Sequence, residues 1–303
     1  MYYINPLSAF SEKDDIIENS GNYLSKNISS QLNEITSHPV DFTINLSESS
    51  FIRIIDILGG LEMYFDPYTF QSSVEYKRKI GEYLMSGHEV FDVMKLKNKN
   101  DPLDYINRLN IQESVVFTIF DNLIKNQKKM RKEWIEFITT LMDTNLTTIE
   151  IFSIYKYLLA NHIIFMVSEL PGKLTVFPGS EQPVLFIEKE LAKTAFEKFE
   201  SDLLDEEFPY EEIAKIEILN GTAVPGLAKK VKSFLNVKRF NVLSVSNAWT
   251  QNQKVSMVIN RSGNSEYTYK IAEVLGIKKV HHIISKESGM DTTILLGENF
   301  ENF

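Results

Sequence analysis

The chain of 303 residues has no cysteine, which excludes disulfide frameworks, thiol catalysis and cysteine-based zinc or iron-sulfur sites. It also lacks any uninterrupted apolar run near the roughly 18 to 20 residues that a membrane-spanning helix needs. The opening Met1 to Pro6 has no basic stretch of the kind that begins a signal peptide. Tyr2 to Ile4 reads as a strand entered midway, so an upstream anchor is expected, and membrane association would run only through it. A dense basic face is missing too, since the net charge is −9; broad nucleic-acid binding, which neutralises many phosphates, is not expected.

What is present suffices for ordinary globular cores, at 43% hydrophobic and 24% charged residues. The charge is unevenly spread. Residues 213–303 hold 12 Lys plus Arg against 7 Asp plus Glu, about +5, which leaves about −14 for the rest. A mildly basic end could meet an anionic polymer, although scattered surface lysines are the plainer meaning.

Periodicity divides the chain into three stretches. Apolar residues at helical spacing predict a helix over 12–35, and alternation predicts a strand over Val40 to Leu46. Ser47 to Ser50 caps a helix over Phe51 to Leu58 that Gly59 and Gly60 close, and Leu61 to Phe65 alternates as a strand. Residues 79–87 lead into a short helix at His88 to Val93, followed by a lysine-rich loop, Lys95 to Lys99. Two helices are expected between Asp104 and Met142 with a break near Asn126. Thr147 with Glu150 forms a capping box for a helix reaching about Ala160. Ile163 to Ser168 reads as a buried strand, 171–183 as a long loop punctuated by proline and glycine, and Phe186 to Leu204 as a helix.

The acidic, proline-containing stretch 205–213 marks a linker between a domain at 1–204 and a module at 214–303. In the module, strands at Lys215 to Leu219, Phe240 to Val245, Lys254 to Ile259, Val280 to Ile284 and Thr292 to Leu296 alternate with helices from Val224 to Leu235 and Ser265 to Leu275. The fold class is α/β, with a small separate α/β module following the larger domain.

The module opens with Ile216 to Leu219, then Asn220-Gly221-Thr222 and Pro225-Gly226-Leu227-Ala228. It resembles the LytR C-terminal domain family, in which a strand ending in Leu-Asn-Gly-Thr precedes a Gly-Leu-Ala helix start. Phe240 to Val242, Val255 to Ile259, Ala272 to Gly276 and Asp291 to Gly297 follow in that family's order.

The larger domain resembles the usual companion, the LytR-CpsA-Psr (LCP) catalytic domain. Val40-Asp41-Phe42 and Ile55-Asp56-Ile57-Leu58-Gly59-Gly60-Leu61 are similar to its Val-Asp and Val-Asp-x-Leu-Gly-Gly-Val core. Gly87 to Lys97 is similar to its Gly-x-x-Ala-Leu-x-Tyr-x-Arg-x-Arg segment, and Asp104 to Gln112 to its Asp-x-x-Arg-x-x-Arg-Gln helix. That resemblance implies an α-β-α domain with a mixed central sheet, outside the cytoplasmic membrane or in the periplasm. In working members the arginines, with magnesium, hold the pyrophosphate of a polyprenyl-linked glycan.

Here Lys95 and Lys97 stand for the two loop arginines and Ile111 for the second helix arginine, while Arg108 and Gln112 are kept. Lysine supplies charge without the planar fork, and isoleucine supplies neither. The expectation is a degenerate, non-catalytic envelope protein with Lys95, Lys97, Arg108 and Gln112 as phosphate-binding residues for a polyprenyl-linked glycan, wall polymer or envelope partner. The alternatives are an active glycopolymer phosphotransferase, with magnesium as cofactor and the lysines replacing arginines, or a purely structural interaction protein.

Two further features carry plainer readings beside chemical ones. Asn220, Gly221, Thr222 and Gly226 could present amides to an anion, or form a structural turn. His281 and His282 are adjacent in a strand, so they face opposite sides and cannot ligate one metal together; no metal site is expected.

Overall fold

The computed structural model describes residues 2–3, 8–9, 24–67, 79–96, 104–126, 132–160, 168–176, 184–204 and 214–300. Two compact units emerge, and they do not follow chain order: one combines 1–47, 131–157 and 167–208, the other 48–130, 158–166 and 209–303. The expected linker at 205–213 lies outside the described residues.

In the first unit the strands are short. β1 (Tyr2–Tyr3) pairs in parallel with β7 (Ser168–Glu169), and β2 (Ser8–Ala9) pairs with β9 (Val184–Phe186), which also pairs with β8 (Lys173–Thr175). Helices α1 (Leu24–Thr36) and α7 (Lys189–Leu204) pack together, burying Ile35, Ile187 and Ala192 with Leu170. The predicted strand from Val40 to Leu46 shrinks to β3 (Ile44–Asn45), opposite β6 (Asp143–Thr144). Asn145 takes over the pairing beside it, accepting from the Thr43 N–H at 2.9 Å and donating to the Asp41 carbonyl at 2.8 Å. Phe42, Ile44 and Leu46 are exposed, so the alternating pattern there has no core to face.

α5 (Lys132–Thr140) is followed by α6 (Thr148–Ala160), which starts on the predicted capping box, Thr147 accepting from the Glu150 N–H and Glu150 from the Thr147 N–H. The stretch expected as loop over 171–183 instead contributes β8, which finds β9 as its antiparallel partner. Residues 163–167 of the strand expected over Ile163 to Ser168, and much of the helix expected over 12–35, lie outside the described residues, while Ser168 opens β7.

The second unit begins with α2 (Glu48–Ile57), which turns its Ile52, Ile54 and Ile55 inward. Gly59 and Gly60, both at positive φ, close it and feed β4 (Leu61–Phe65), whose antiparallel partner is β5 (Gly81–Met85). β5 forms where the sequence analysis expects only the approach to a helix, because β4 offers it an antiparallel partner. Then comes α3 (Gly87–Met94), fixed by a capping box between Ser86 and Glu89. α4 (Asp104–Lys125) crosses the hairpin, completing a core of Ile55, Leu61, Met63, Phe65, Met85, Val90, Val93, Ile111 and Val115.

The module at 214–300 contributes β10 (Ile216–Asn220), α8 (Leu227–Val237), β11 (Val242–Asn247), β12 (Met257–Asn260), α9 (Ser265–Leu275), β13 (Lys279–His282) and β14 (Thr292–Leu296). Its mixed sheet runs β11-β10-β14-β12-β13, with β12 antiparallel to β14 and the other neighbours parallel. Side chains alternate across it. Ile216, Ile218, Val258, Ile294 and Leu296 join α8 and α9 in one core. Leu219, Met257, Ile259 and Leu295 form another on the opposite face, and Tyr64 of β4 belongs to it. The sheet is thus apolar on both faces, and residues 48–130 supply the second layer.

α2 and α3 meet where Gly87 lies. Its N–H donates to Asp56 Oδ1 at 2.7 Å, and a Cβ there would stand 2.2 Å from the Ile52 carbonyl oxygen. Gly87→Ala should therefore lower stability by about 1–3 kcal/mol in urea unfolding. An unchanged midpoint would contradict this close approach.

Candidate functional site

Two of the residues singled out for phosphate binding, Lys95 and Gln112, lie where α3 hands over to α4. Lys95 caps α3, with its ammonium 4.3 Å from the Phe91 ring centroid, 3.6 Å from Glu48 and 3.9 Å from Asp92. Gln112 donates to the Met94 carbonyl at 3.2 Å, tying α4 to the end of α3. Arg108 lies one helical turn before Gln112 and is only 7% exposed. Ile111, in the place of the second helix arginine, is buried in the core with Ile55 and Val115. Lys97 lies outside the described residues.

The turn at Asn220 closes on itself. Asn220 Oδ1 accepts from the Thr222 N–H at 3.1 Å and hydroxyl at 2.8 Å, and its amide donates to the Val224 carbonyl at 2.9 Å. The Gly221 N–H donates to the Leu296 carbonyl at 3.0 Å, and Gly226 sits at φ 76° to start α8. The amides of Gly221, Thr222 and Val224 thus already have acceptors.

Among the described residues a dense array of charge joins the module to residues 48–130, from pairs too far apart in sequence for their types to announce. Arg261 lies 2.6 Å from Asp66, with side-chain exposures of 1% and 0%. Its Nε donates to the Thr293 hydroxyl at 2.9 Å, which in turn donates to Glu217 at 2.7 Å. On β13 the two histidines do face opposite ways. His281 meets Glu82 of β5 at 3.0 Å, and His282 meets Asp121 of α4 at 3.1 Å while stacking on Phe117. Lys279 bonds Glu82, and Lys286 reaches Glu113, whose side chain is fully buried, at 3.0 Å. Asn110 donates to Glu287 at 2.9 Å, and the Ile284 N–H donates to the Ser114 hydroxyl at 2.8 Å.

Burial works to raise the carboxyl pKa of Glu82, but hydrogen bonds and charge from His281 and Lys279 win and bring it down to about 2. Asp121 is lowered likewise: burial opposes, while His282, Lys125 and Tyr269 outweigh it. Tyr269 is pushed up by burial and by the Asp121 charge, so it stays a phenol that donates to Asp121. A pocket between α4 and 282–285 has a volume of about 20 Å³, on the order of one water. It cannot hold a glycan. Among the described residues no group of three or more His, Asp and Glu is placed to hold a metal ion. No helix among them is long and apolar enough to cross a membrane.

Residues 214–300 match the family model described as LytR cell envelope-related transcriptional attenuator, LytR_C. No curated protein matches the chain. Among solved structures, the Lin1025 protein of Listeria innocua is 18% identical, covering 67% of this chain and 85% of its own, with a TM-score of 0.45. Lmo1026 of Listeria monocytogenes is 18% identical over 67% of this chain and 83% of its own, with a TM-score of 0.47. A structure titled TagT bound to LIIa-WTA is 15% identical over 58% of this chain and 66% of its own, with a TM-score of 0.45.

Because Glu82 and Asp121 are depressed, their contribution is present above their unfolded pKa values and lost as pH falls through the folded ones. For Glu82 that window runs from 4.5 down to about 2. Unfolding midpoints should fall across it, and Glu82→Gln should flatten the fall. An identical acid profile in the variant would contradict the pairing.

Proposed function

We propose that this chain is a cell-envelope-associated binding protein related to the LCP proteins, that it does not transfer glycopolymer, and that it holds the phosphate head of a polyprenyl-linked glycan at the α3–α4 corner. The envelope assignment is supported by the LytR_C match over 214–300. The observation that carries the non-catalytic reading is Ile111: where the resemblance expects an arginine, a core isoleucine packs against Ile55 and Val115. Spreading charge over several phosphate oxygens in an apolar site requires more than one fixed guanidinium. Arg108 supplies one, and Lys95 is shared with Glu48 and Asp92.

Calorimetric titration with farnesyl pyrophosphate, a short soluble polyprenyl pyrophosphate, tests the binding half. Binding is expected, weakened about tenfold or more by Arg108→Ala through loss of charge-assisted hydrogen bonds. Absence of binding would remove the ligand and leave an interaction protein. Incubation with a lipid-linked glycan, magnesium and a wall acceptor should yield no product, whereas turnover would establish the transferase reading instead.

A further inference from the structure

The positive charge of the module is concentrated rather than scattered. From residue 218 to 265 there is no Asp or Glu, against seven Lys and Arg. Two of these are neutralised within the chain, Arg261 by Asp66 and Lys254 by Glu298. The other five, Lys229, Lys230, Lys232, Lys238 and Arg239, belong to α8 and the turn that closes it, and among the described residues none of them meets a carboxylate. α8 turns Leu227, Ala228, Val231 and Leu235 into the core, so Lys229, Lys230, Ser233 and Val237 come to its outer face. Val237 is 83% exposed, and Val224, just ahead of the helix, 53%. Along the neighbouring α9, Glu266 and Glu273 are matched by Lys270 and by Lys278 just beyond it.

Folding does not account for this arrangement. A helix start favours acidic residues and side-chain caps. The first turn of α8 has no acid, Lys229 and Lys230 stand there instead, and Gly226 supplies no side-chain cap. Arg239 follows the helix at φ 67°, a conformation that glycine takes at least cost. Local choices that oppose local structure are expected at functional sites. We propose that the outer face of α8 docks on an anionic lipid bilayer, with Lys229, Lys230, Lys232, Lys238 and Arg239 among acidic headgroups and Val224 and Val237 entering the interface. The valines decide for lipid over a soluble polyanion. Charge alone would meet a polymer, whereas an exposed apolar side chain gains only where there is an apolar boundary to enter. Attraction between the cations and acidic headgroups falls off within a Debye length, so the contact weakens with salt. This surface is separate from the α3–α4 corner and does not depend on the ligand reading above.

Cosedimentation of the full chain with phosphatidylcholine vesicles, with and without phosphatidylglycerol, tests the surface. The chain as a whole carries −9, so bulk charge opposes binding to the acidic vesicles and only a local face draws it there. Binding is expected to the acidic vesicles alone, and to be lost in high salt. Lys229→Gln, Lys230→Gln and Lys232→Gln together should weaken it about tenfold or more, and Val237→Ser severalfold. All four positions are exposed or half-exposed, and an unchanged urea midpoint verifies the fold of each variant. Lys156→Gln, Lys193→Gln and Lys198→Gln, on α6 and α7, remove the same charge elsewhere and should leave binding unaltered. No binding to acidic vesicles, equal loss in the two triple variants, or an affinity indifferent to Val237→Ser would each overturn the proposal. So would binding of soluble polyphosphate to the α8 face without any binding of vesicles, which would assign the face to a polymer instead.

Discussion

The buried pair of Asp66 and Arg261 is the contact on which the larger compact unit depends. Two side chains with almost no exposure lie 2.6 Å apart, and removing either would strand a charge at a cost of about 3–5 kcal/mol. Arg261 stands just after β12 and Asp66 just after β4, so the pair fixes the hairpin against the module's sheet. Around it lies the apolar seat of Tyr64, Leu219, Met257, Ile259 and Leu295. Apolar burial supplies the driving force, being roughly proportional to area and indifferent to direction. The charged pairs supply the register.

The acidic residues of 48–130 and the cationic end module meet through Glu82 with Lys279, Glu113 with Lys286, and Asp66 with Arg261. Arg261, Lys279 and Lys286 are thereby engaged within the chain. Complementary charge of this kind sets specificity more than raw affinity, which fits a contact that selects one seating of the module.

Local structure was largely legible in the sequence. The α2 stop at Gly59 and Gly60, the Thr147–Glu150 capping box and α9 over Ser265 to Leu275 all follow from residue types whose local hydrogen bonding or φ preference is strong. Long-range pairing was not. β8 needed β9, and the alternation at Val40 to Leu46 met no core. For the site, Gln112 and Lys95 meet at the end of α3, but nothing in their types announced that Arg108 would be buried. The module's docking does leave a trace in the sequence. β12 and β14 are apolar on successive residues and buried throughout, which is the signature of a sheet covered on both sides. His281 and His282 face opposite ways, as alternation in a strand requires, and carboxylates on two distant elements complete them.

A double-mutant cycle on Asp66 and Arg261, with Asp66→Asn, Arg261→Met and the pair measured by denaturant unfolding, tests the docking most directly. The account predicts that each single variant loses several kcal/mol and that the double loses much less than their sum, leaving a coupling of about 2 kcal/mol or more. Strictly additive losses would mean that the two charges do not meet, and that the module does not sit on residues 48–130.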